Sequence, residues 1–336
     1  MQSWLERHWY SDKVGFWQVF FVFPDLLLAV LVGLRRFLYR IGLIPSWRSP
    51  IPVVVVGNVT LGGTGKTPLV IWLAEQLKAK GYSPGIISRG YGGSAQQVTE
   101  VVKGADASLV GDEPLLMAMR TSFPVWIGRR RPEVVRALLK ANPQCDVIIS
   151  DDGLQHYALQ RDFEIVVIDG VRRYGNGAML PFGPMREPTW RVSEVDAVVV
   201  NGGDADCFGS EHLMRLNGGA FYLLSDAAKT ATAKDFKGKQ VHAFAGIGHP
   251  ARFFNQLRQM GLDVVEHPFP DHHPYRPGDL QIKGASVILM TEKDAVKCLK
   301  FHQKNIWVLP VQADIVMGLE DKVVERIEGF YGRKVA

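Results

Sequence analysis

Cysteine is scarce in this chain. Cys145, Cys207 and Cys298 lie far apart in 336 residues, with no C-x-x-C pair. That spacing argues against a disulfide frame or a zinc site and for a reducing compartment. Long runs of one charge are missing too. The 39 Lys and Arg against 34 Asp and Glu leave a net charge of only +5 and no basic tract of the kind that grips nucleic acid. Neither an internal repeat nor a low-complexity tract is present. What is there, 47% hydrophobic and 22% charged residues, describes a folded protein. The length suits one large α/β domain and a smaller one. The slight positive excess suits an anionic lipid surface or phosphate-bearing substrates.

The stretch GNVTLGGTGKTPL, Gly57 to Leu69, resembles a phosphate-binding loop with one departure. The pattern G-x-x-x-x-G-K-[ST] asks for Gly where Thr60 stands. The flanks support the motif all the same. Val53–Val56 is a β-branched run suited to a buried parallel strand. After Thr67, Pro68 fits a first helical turn, and Leu69, Ile71, Leu73, Ala74 and Leu77 recur at helical spacing until Gly81. Gly62, Gly63 and Gly65 let backbone N–H groups converge on an anion at the helix N-terminus. Lys66 can reach the β- and γ-phosphates, and the Thr67 hydroxyl can ligate Mg²⁺.

The segment VGFWQVFFVFPDLLLAVLVGLRRFLYRIGLI is too apolar for an ordinary surface. Pro24-Asp25 splits the run, and Leu26–Leu34 alone is too short to span a bilayer. At helical spacing Asp25, Arg36 and Arg40 share one face with Arg35 on its flank, while Leu26, Leu27, Leu31, Leu34, Phe37 and Leu38 occupy the others. The expectation is a helix lying in a membrane interface, its arginines at phosphate headgroups. A cleaved signal peptide is not expected, because no basic stretch comes first and Glu6 sits early.

Further along, SPGIISRGYGG reads as a strand ending in a glycine-rich loop, with Arg89 and Tyr91 at its carboxyl end. Asp112 and Glu113 precede Pro114 and an apolar helical run, good chemistry for a helix start. CDVIISDDGLQH is a buried strand ending in Asp151-Asp152, the arrangement a P-loop enzyme uses to hold Mg²⁺. Two more buried strands, FEIVVIDG and VDAVVVNGG, flank a long glycine-rich loop. From about Leu223 the pattern becomes a second α/β unit, with PFPDHHPY and ASVILMTEKDAVK. His272 and His273, adjacent and pointing apart, suit a single catalytic or phosphate contact better than a metal pair. TEKD is a weak echo of the base-reading N-K-x-D of GTPases, in the wrong order.

In this order, GNVTLGGTGKTP, SRGYGG, GDEP, DDGLQH, VIDGVRRYGNG with LPFGPMRE, AGIGHPARFF and MTEKDAVK resemble the tetraacyldisaccharide 4'-kinase family of Gram-negative bacteria over nearly the whole chain. In that family the loop begins at the position of Thr60, so the missing Gly is normal. The resemblance implies transfer of the ATP γ-phosphate to the 4'-hydroxyl of a tetraacyl glucosamine disaccharide 1-phosphate in lipid A biosynthesis. It implies that Thr60, Leu61, Gly62, Gly63, Thr64, Gly65, Lys66 and Thr67 bind ATP. Mg²⁺ would be held by Thr67 and one of Asp151 and Asp152, with Glu187 a further acidic participant. Asp112 would be the base, tuned by His272, although the choice between His272 and His273 stays open. Asn58, Arg89, Tyr91 and Arg186 would meet phosphate or sugar, and Lys293 and Asp294 would border the adenine, with the two domains closing on ATP.

The fold expected is α/β. It has a P-loop NTPase-type, mostly parallel sheet with helices on both faces (46–210), a smaller C-terminal α/β domain (211–336) and an N-terminal interfacial helix (1–45). The protein would act as a monomer, bound peripherally on the cytoplasmic face of the inner membrane. The competing class is a membrane-associated P-loop GTPase or ATPase switch, disfavoured by the absent N-K-x-D.

Overall fold

The structure is a computed structural model that describes residues 8–10, 16–203, 211–282, 287–301, 303, 305–316 and 318–335. Glu6, Cys207 and the Ala285-Ser286 start of the strand before TEKD lie outside them. In chain order the elements begin with α1 (Phe16–Arg40), β1 (Val53–Gly57), α2 (Lys66–Ala79), β2 (Pro84–Ser88), β3 (Thr99–Glu100), α3 (Ala107–Val110) and α4 (Asp112–Arg120). Next come β4 (Val125–Ile127), α5 (Arg131–Ala141), β5 (Val147–Asp151), β6 (Phe163–Asp169), β7 (Ala197–Asn201) and β8 (Glu211–Gly218). Then follow β9 (Phe221–Leu223), β10 (Asp226–Ala231), β11 (Gln240–Ala245), α6 (Pro250–Gln259) and β12 (Asp263–Pro268). The last are β13 (Ile288–Thr291), α7 (Glu292–Ala295), β14 (Ile306–Leu309), β15 (Val311–Ile315) and α8 (Leu319–Val335).

The chain forms two compact units. Unit 1 is Met1–Ile87, Arg130–Arg215 and Asp314–Ala336; unit 2 is Ser88–Arg129 and Leu216–Ala313. The sequence places one boundary after residue 210. Instead Ser88–Arg129 groups with the second unit and α8 returns to the first. Side chains far apart in sequence explain both. Arg120 of α4 donates to both carboxylate oxygens of Glu292 in α7 at 2.7 Å. From α8, Asp321 pairs with Lys80 at 2.8 Å and Arg326 with Asp196 at 2.7 Å.

In unit 1, strands β8-β7-β6-β1-β5-β2 run in that order and all pair in parallel. The β-branched residues of β1, Val53 to Val56, are at most 1% exposed, as burial on both faces of a parallel sheet requires. Register sets Val56 opposite Asp151, so the strand-end carboxylates stand level with the exit of β1. Helix α2 is buried on most of its surface through Leu69, Val70, Ile71, Trp72, Leu73, Ala74 and Leu77. It ends in a Schellman pattern: Tyr82 N–H donates to Leu77 and Gly81 N–H to Lys78, with Gly81 at φ 95°.

Helix α1 corrects the sequence reading twice. First, it runs unbroken through Pro24. A proline removes one backbone hydrogen bond, and a helix held on both sides of it bends instead of ending. Second, its polar side faces the protein. Asp25 accepts from the Met179 N–H, Arg36 pairs with Glu194 and lies over Trp190, and Arg35 lies over Tyr157. Of the three arginines expected at headgroups, these two are turned inward. What faces out is an apolar ridge: Phe23 (82% exposed), Leu26, Leu27, Val30, Leu31, Leu34 and Phe37, continued by Ile41 and Leu43. No helix among the described residues is long and apolar enough to cross a membrane.

In unit 2 the sheet order is β10-β9-β14-β13-β11-β12. The last four strands pair in parallel, while β9 and β10 add an antiparallel edge. Phe221, Val241, Ala243, Phe253, Phe254 and Leu289 fill its core. Cys145 in unit 1 and Cys298 in unit 2 are buried free thiols, pushed up by burial to about 11 and about 12.

Candidate functional site

The loop between β1 and α2 explains why position 60 needs no glycine. Thr60 forms an antiparallel bridge with Met185, Leu61 N–H donates to Pro184 at 2.8 Å, and Arg186 N–H donates to Val59 at 2.7 Å. The loop entry is thus extended and zipped to the 184–186 segment. The turn itself falls at Gly62 and Gly65, with φ of 103° and 96°. A Cβ on Gly65 would stand 2.4 Å from the Asn201 amide nitrogen, which donates to the Thr64 carbonyl at 2.9 Å. Asn201, at the end of β7, thus supports the loop from behind. Asn58, expected at the substrate, is fully buried; its side-chain amide donates across the loop to the Gly62 carbonyl at 3.5 Å, and its backbone carbonyl accepts from Gln155 at 3.0 Å.

One carboxylate organises the cations of this site. Asp152 lies 3.5 Å from Lys66 Nζ and 3.1 Å from Arg186. Burial would raise its pKa, but Lys66 and Arg186 outweigh that and hold it well below the usual carboxylate range. Its neighbour Asp151 is fully buried, and the Asp151 carbonyl accepts from Arg131 at 2.8 Å. Arg131, whose charge also lowers the Asp152 pKa, escaped the sequence reading. Its signal was a cation in the first turn of α5, where the helix dipole disfavours one.

Glu187 is 1% exposed and sits in a buried group: Tyr157 OH donates to it at 2.9 Å, and Arg191 Nε lies 3.2 Å away. No group of three or more His, Cys, Asp or Glu is gathered for a metal among the described residues. The expected set of Thr67, Asp151, Asp152 and Glu187 therefore forms no ready-made cage. Mg²⁺ takes one or two carboxylates, with phosphate oxygens and water completing its shell. The hard oxygens of Thr67 and Asp152 fit that need without such a cage.

In unit 2, Asp112 opens α4 and is 4% exposed. His272 Nδ1 lies 3.0 Å from both of its carboxylate oxygens. The pairing distinguishes the two histidines, since His273 is bound to Asp279 at 3.2 Å and packs on Phe269. Burial would raise the Asp112 pKa, but the His272 hydrogen bond and the Lys293 and Lys297 charges bring it below normal. Burial would lower that of His272; the bond to Asp112 more than offsets it, with Lys293 opposing.

His272 and Asp152 both sit in the left-handed backbone region, at φ 60° and 46°. For such residues that conformation costs on the order of 1–3 kcal/mol. Tyr91 presents its ring edge-on to His272, centroids 5.0 Å apart, and Arg89 is exposed. The TEKD residues, expected beside the adenine, have protein partners of their own. Lys293 is directed at Glu113, Asp271 and His272, and Asp294 is fully buried, accepting from Gly246 N–H at 3.0 Å and Thr291 Oγ1 at 2.7 Å.

Known proteins resemble this chain over nearly its whole length. The family model described as tetraacyldisaccharide-1-P 4'-kinase (LpxK) matches residues 18–328. A tetraacyldisaccharide 4'-kinase of Methylobacillus flagellatus is 48% identical over 96% of both chains. One of Azoarcus sp. is 50% identical over 93% of this chain and 92% of its own. A crystal structure of LpxK from Aquifex aeolicus in complex with ATP superposes with a TM-score of 0.76 at 27% identity, covering 91% of this chain and 98% of that one.

Proposed function

The chain belongs to the tetraacyldisaccharide-1-P 4'-kinase family, and from that premise we propose how its residues divide the work of an ATP-dependent kinase. The reaction moves the γ-phosphate of ATP to the 4'-hydroxyl of a tetraacyl disaccharide 1-phosphate in lipid A biosynthesis. Its transition state is loose and spreads negative charge over the transferred group, so the protein's part is positioning and neutralisation. The Thr60–Thr67 loop amides and Lys66 take the β- and γ-phosphates. Arg186, held on Asp152 at 3.1 Å, is a second cation for phosphate or sugar oxygens. Thr67 and Asp152 would hold Mg²⁺, whose chemistry when bound is to neutralise phosphate charge.

The base is Asp112. It is ionised, and a carboxylate is far weaker than a sugar alkoxide, so it takes the hydroxyl proton late, as the new P–O bond forms. His272 orients it. The 3.0 Å contacts of Nδ1 with both carboxylate oxygens carry this assignment. Arg89 and Tyr91 are exposed and available to the sugar or its 1-phosphate. A nucleotide switch is not favoured: N-K-x-D is absent, and the TEKD lysine is committed to carboxylates. The deciding assay is labelled ATP with a tetraacyl disaccharide 1-phosphate, scored for 4'-phosphate. ATP hydrolysis that ignores the acceptor would sink the kinase reading.

The ridge of α1 is the lipid contact. The monomer would lie on the cytoplasmic face of the inner membrane with Leu26, Leu27, Val30, Leu31 and Leu34 among the acyl chains. Since Arg35 and Arg36 face inward, attachment is mainly apolar. Leu27→Glu with Leu31→Glu should abolish binding to vesicles of the anionic lipid phosphatidylglycerol, whereas raising salt should weaken it little. Binding that salt removes would show that headgroup charge dominates.

A further inference from the structure

We propose that Lys293 is a positioning residue: by donating to Nε2 of His272 it fixes the ring as its neutral Nδ1–H tautomer and so leaves the ionised Asp112 a stronger base than it would be beside an imidazolium. The proposal rests on the reading of Asp112 as that base. The Lys293 ammonium has three N–H bonds and three acceptors, Glu113 Oε1 at 2.8 Å, Asp271 Oδ1 at 3.3 Å and His272 Nε2 at 3.4 Å. An ammonium only donates. Nε2 must then offer its lone pair, which leaves the single ring proton on Nδ1, facing both oxygens of Asp112 at 3.0 Å. Three carboxylates, Glu113, Asp112 and Asp271, outweigh the effect of burial on Lys293 and raise its pKa, so the donor stays charged.

The arrangement decides where the substrate proton rests. His272 already carries a proton on Nδ1, so it cannot take the one Asp112 collects. Asp112 itself keeps it until product leaves. A doubly protonated ring would aim an N–H at an ammonium.

The other charges around the ring divide into two camps. Asp112 and Asp271, the latter 3.7 Å from Nε2, draw a second proton onto it. Lys297, 3.9 Å from Asp112, favours the ionised carboxylate but shares its charge with Asp294 at 2.8 Å. Tyr91 adds only an aromatic edge, and His273 is engaged with Asp279. Lys293 is the cation that touches the ring. Without it, His272 takes the second proton up to a higher pH, and the pair becomes a closed imidazolium–carboxylate bridge.

The test is the pH dependence of kcat and kcat/KM with ATP and the tetraacyl disaccharide 1-phosphate, in the wild type, Lys293→Met, Lys293→Arg and Asp112→Asn. Lys293→Met should move the acid limb upward by about one pH unit. Turnover is then depressed at neutral pH and regained in alkali, with KM for ATP unchanged. Lys293→Arg keeps the charge and should leave the limb in place. A loss equal at every pH, or a raised KM for ATP with an unmoved limb, overturns the proposal. Should Lys293→Met fail to fold, ¹⁵N NMR of His272 in the intact wild type at mildly alkaline pH decides. A protonated Nδ1 with a bare Nε2 supports it, and the opposite tautomer or a doubly protonated ring refutes it. Full activity in Asp112→Asn would instead overthrow the base itself. A severe loss there, with an unmoved limb in Lys293→Met, would sink only the role of the lysine.

Discussion

The two charged clusters follow opposite designs. In unit 1, Lys66 and Arg186 share the carboxylate of Asp152, which is 30% exposed, at 3.5 and 3.1 Å. These are cations waiting for a better anion, kept extended by one that can give them up. In unit 2, Asp112 is 4% exposed, and its partners are bound to one another as well as to it. That cluster is a finished circuit. On the proposed roles, charge meant for a ligand is held near solvent, and charge meant for tuning a proton is buried and closed.

The sharpest way to probe this contrast is to remove one member from each cluster. Lys66→Ala should lower kcat by on the order of a thousand-fold or more, since it takes a cation from the transferring phosphoryl. The melting temperature should fall only modestly, because Arg186 still holds Asp152 at 3.1 Å when Lys66 is gone. Normal turnover would end the phosphate-binding assignment. In unit 2, Asp112→Asn and His272→Ala should each cost about a hundred- to a thousand-fold in kcat, and the double variant should be scarcely worse than the worse single one. Fully additive losses would show that the circuit is not closed.

A smaller effect concerns acid. The Asp152 pKa in the folded chain is depressed, so its contribution to stability is complete above the unfolded value of about 4. That contribution is lost only as pH falls further, towards the folded value. Asp152→Asn should therefore change stability by a constant amount from neutral pH down to about pH 5, and the gap should close in stronger acid. Urea unfolding across that range measures it; a gap that opened in acid would mean that the carboxylate is not held by Lys66 and Arg186. The smallest effect is expected from Thr60→Gly, within about two-fold in activity: Thr60 is buried, but its backbone pairing with Met185 survives the change.

Local chemistry made much of unit 1 legible from sequence. A β-branched strand, a glycine turn, Lys-Thr and a helical period are neighbours in the chain, and each constrains the next. Helix α1 was half legible. Its phase showed two faces but not which one looked inward, because the partners of Asp25 and Arg36 are 154 and 158 residues away. The partner of Lys293 was hidden for the same reason: Glu113, which accepts from its ammonium, is 180 residues distant. Glu187 could be noticed as an acid, but its burial against Tyr157 and Arg191 is a property of packing that no spacing reveals. The Asp112–His272 pair, 160 residues apart, was reachable through family resemblance and not through any pattern in the residues themselves.

Attachment through the outward ridge of α1, as proposed, would change what concentration means for this protein. A chain held at a lipid surface by such a ridge searches for an acylated substrate in two dimensions. Its rate then follows the mole fraction of substrate in the surface, and adding inert lipid or detergent slows it although the total amount of substrate is unchanged. ATP arrives from the third dimension and obeys ordinary bulk saturation. An enzyme so attached would read its two substrates on two different scales, and dilution with inert amphiphile would separate them.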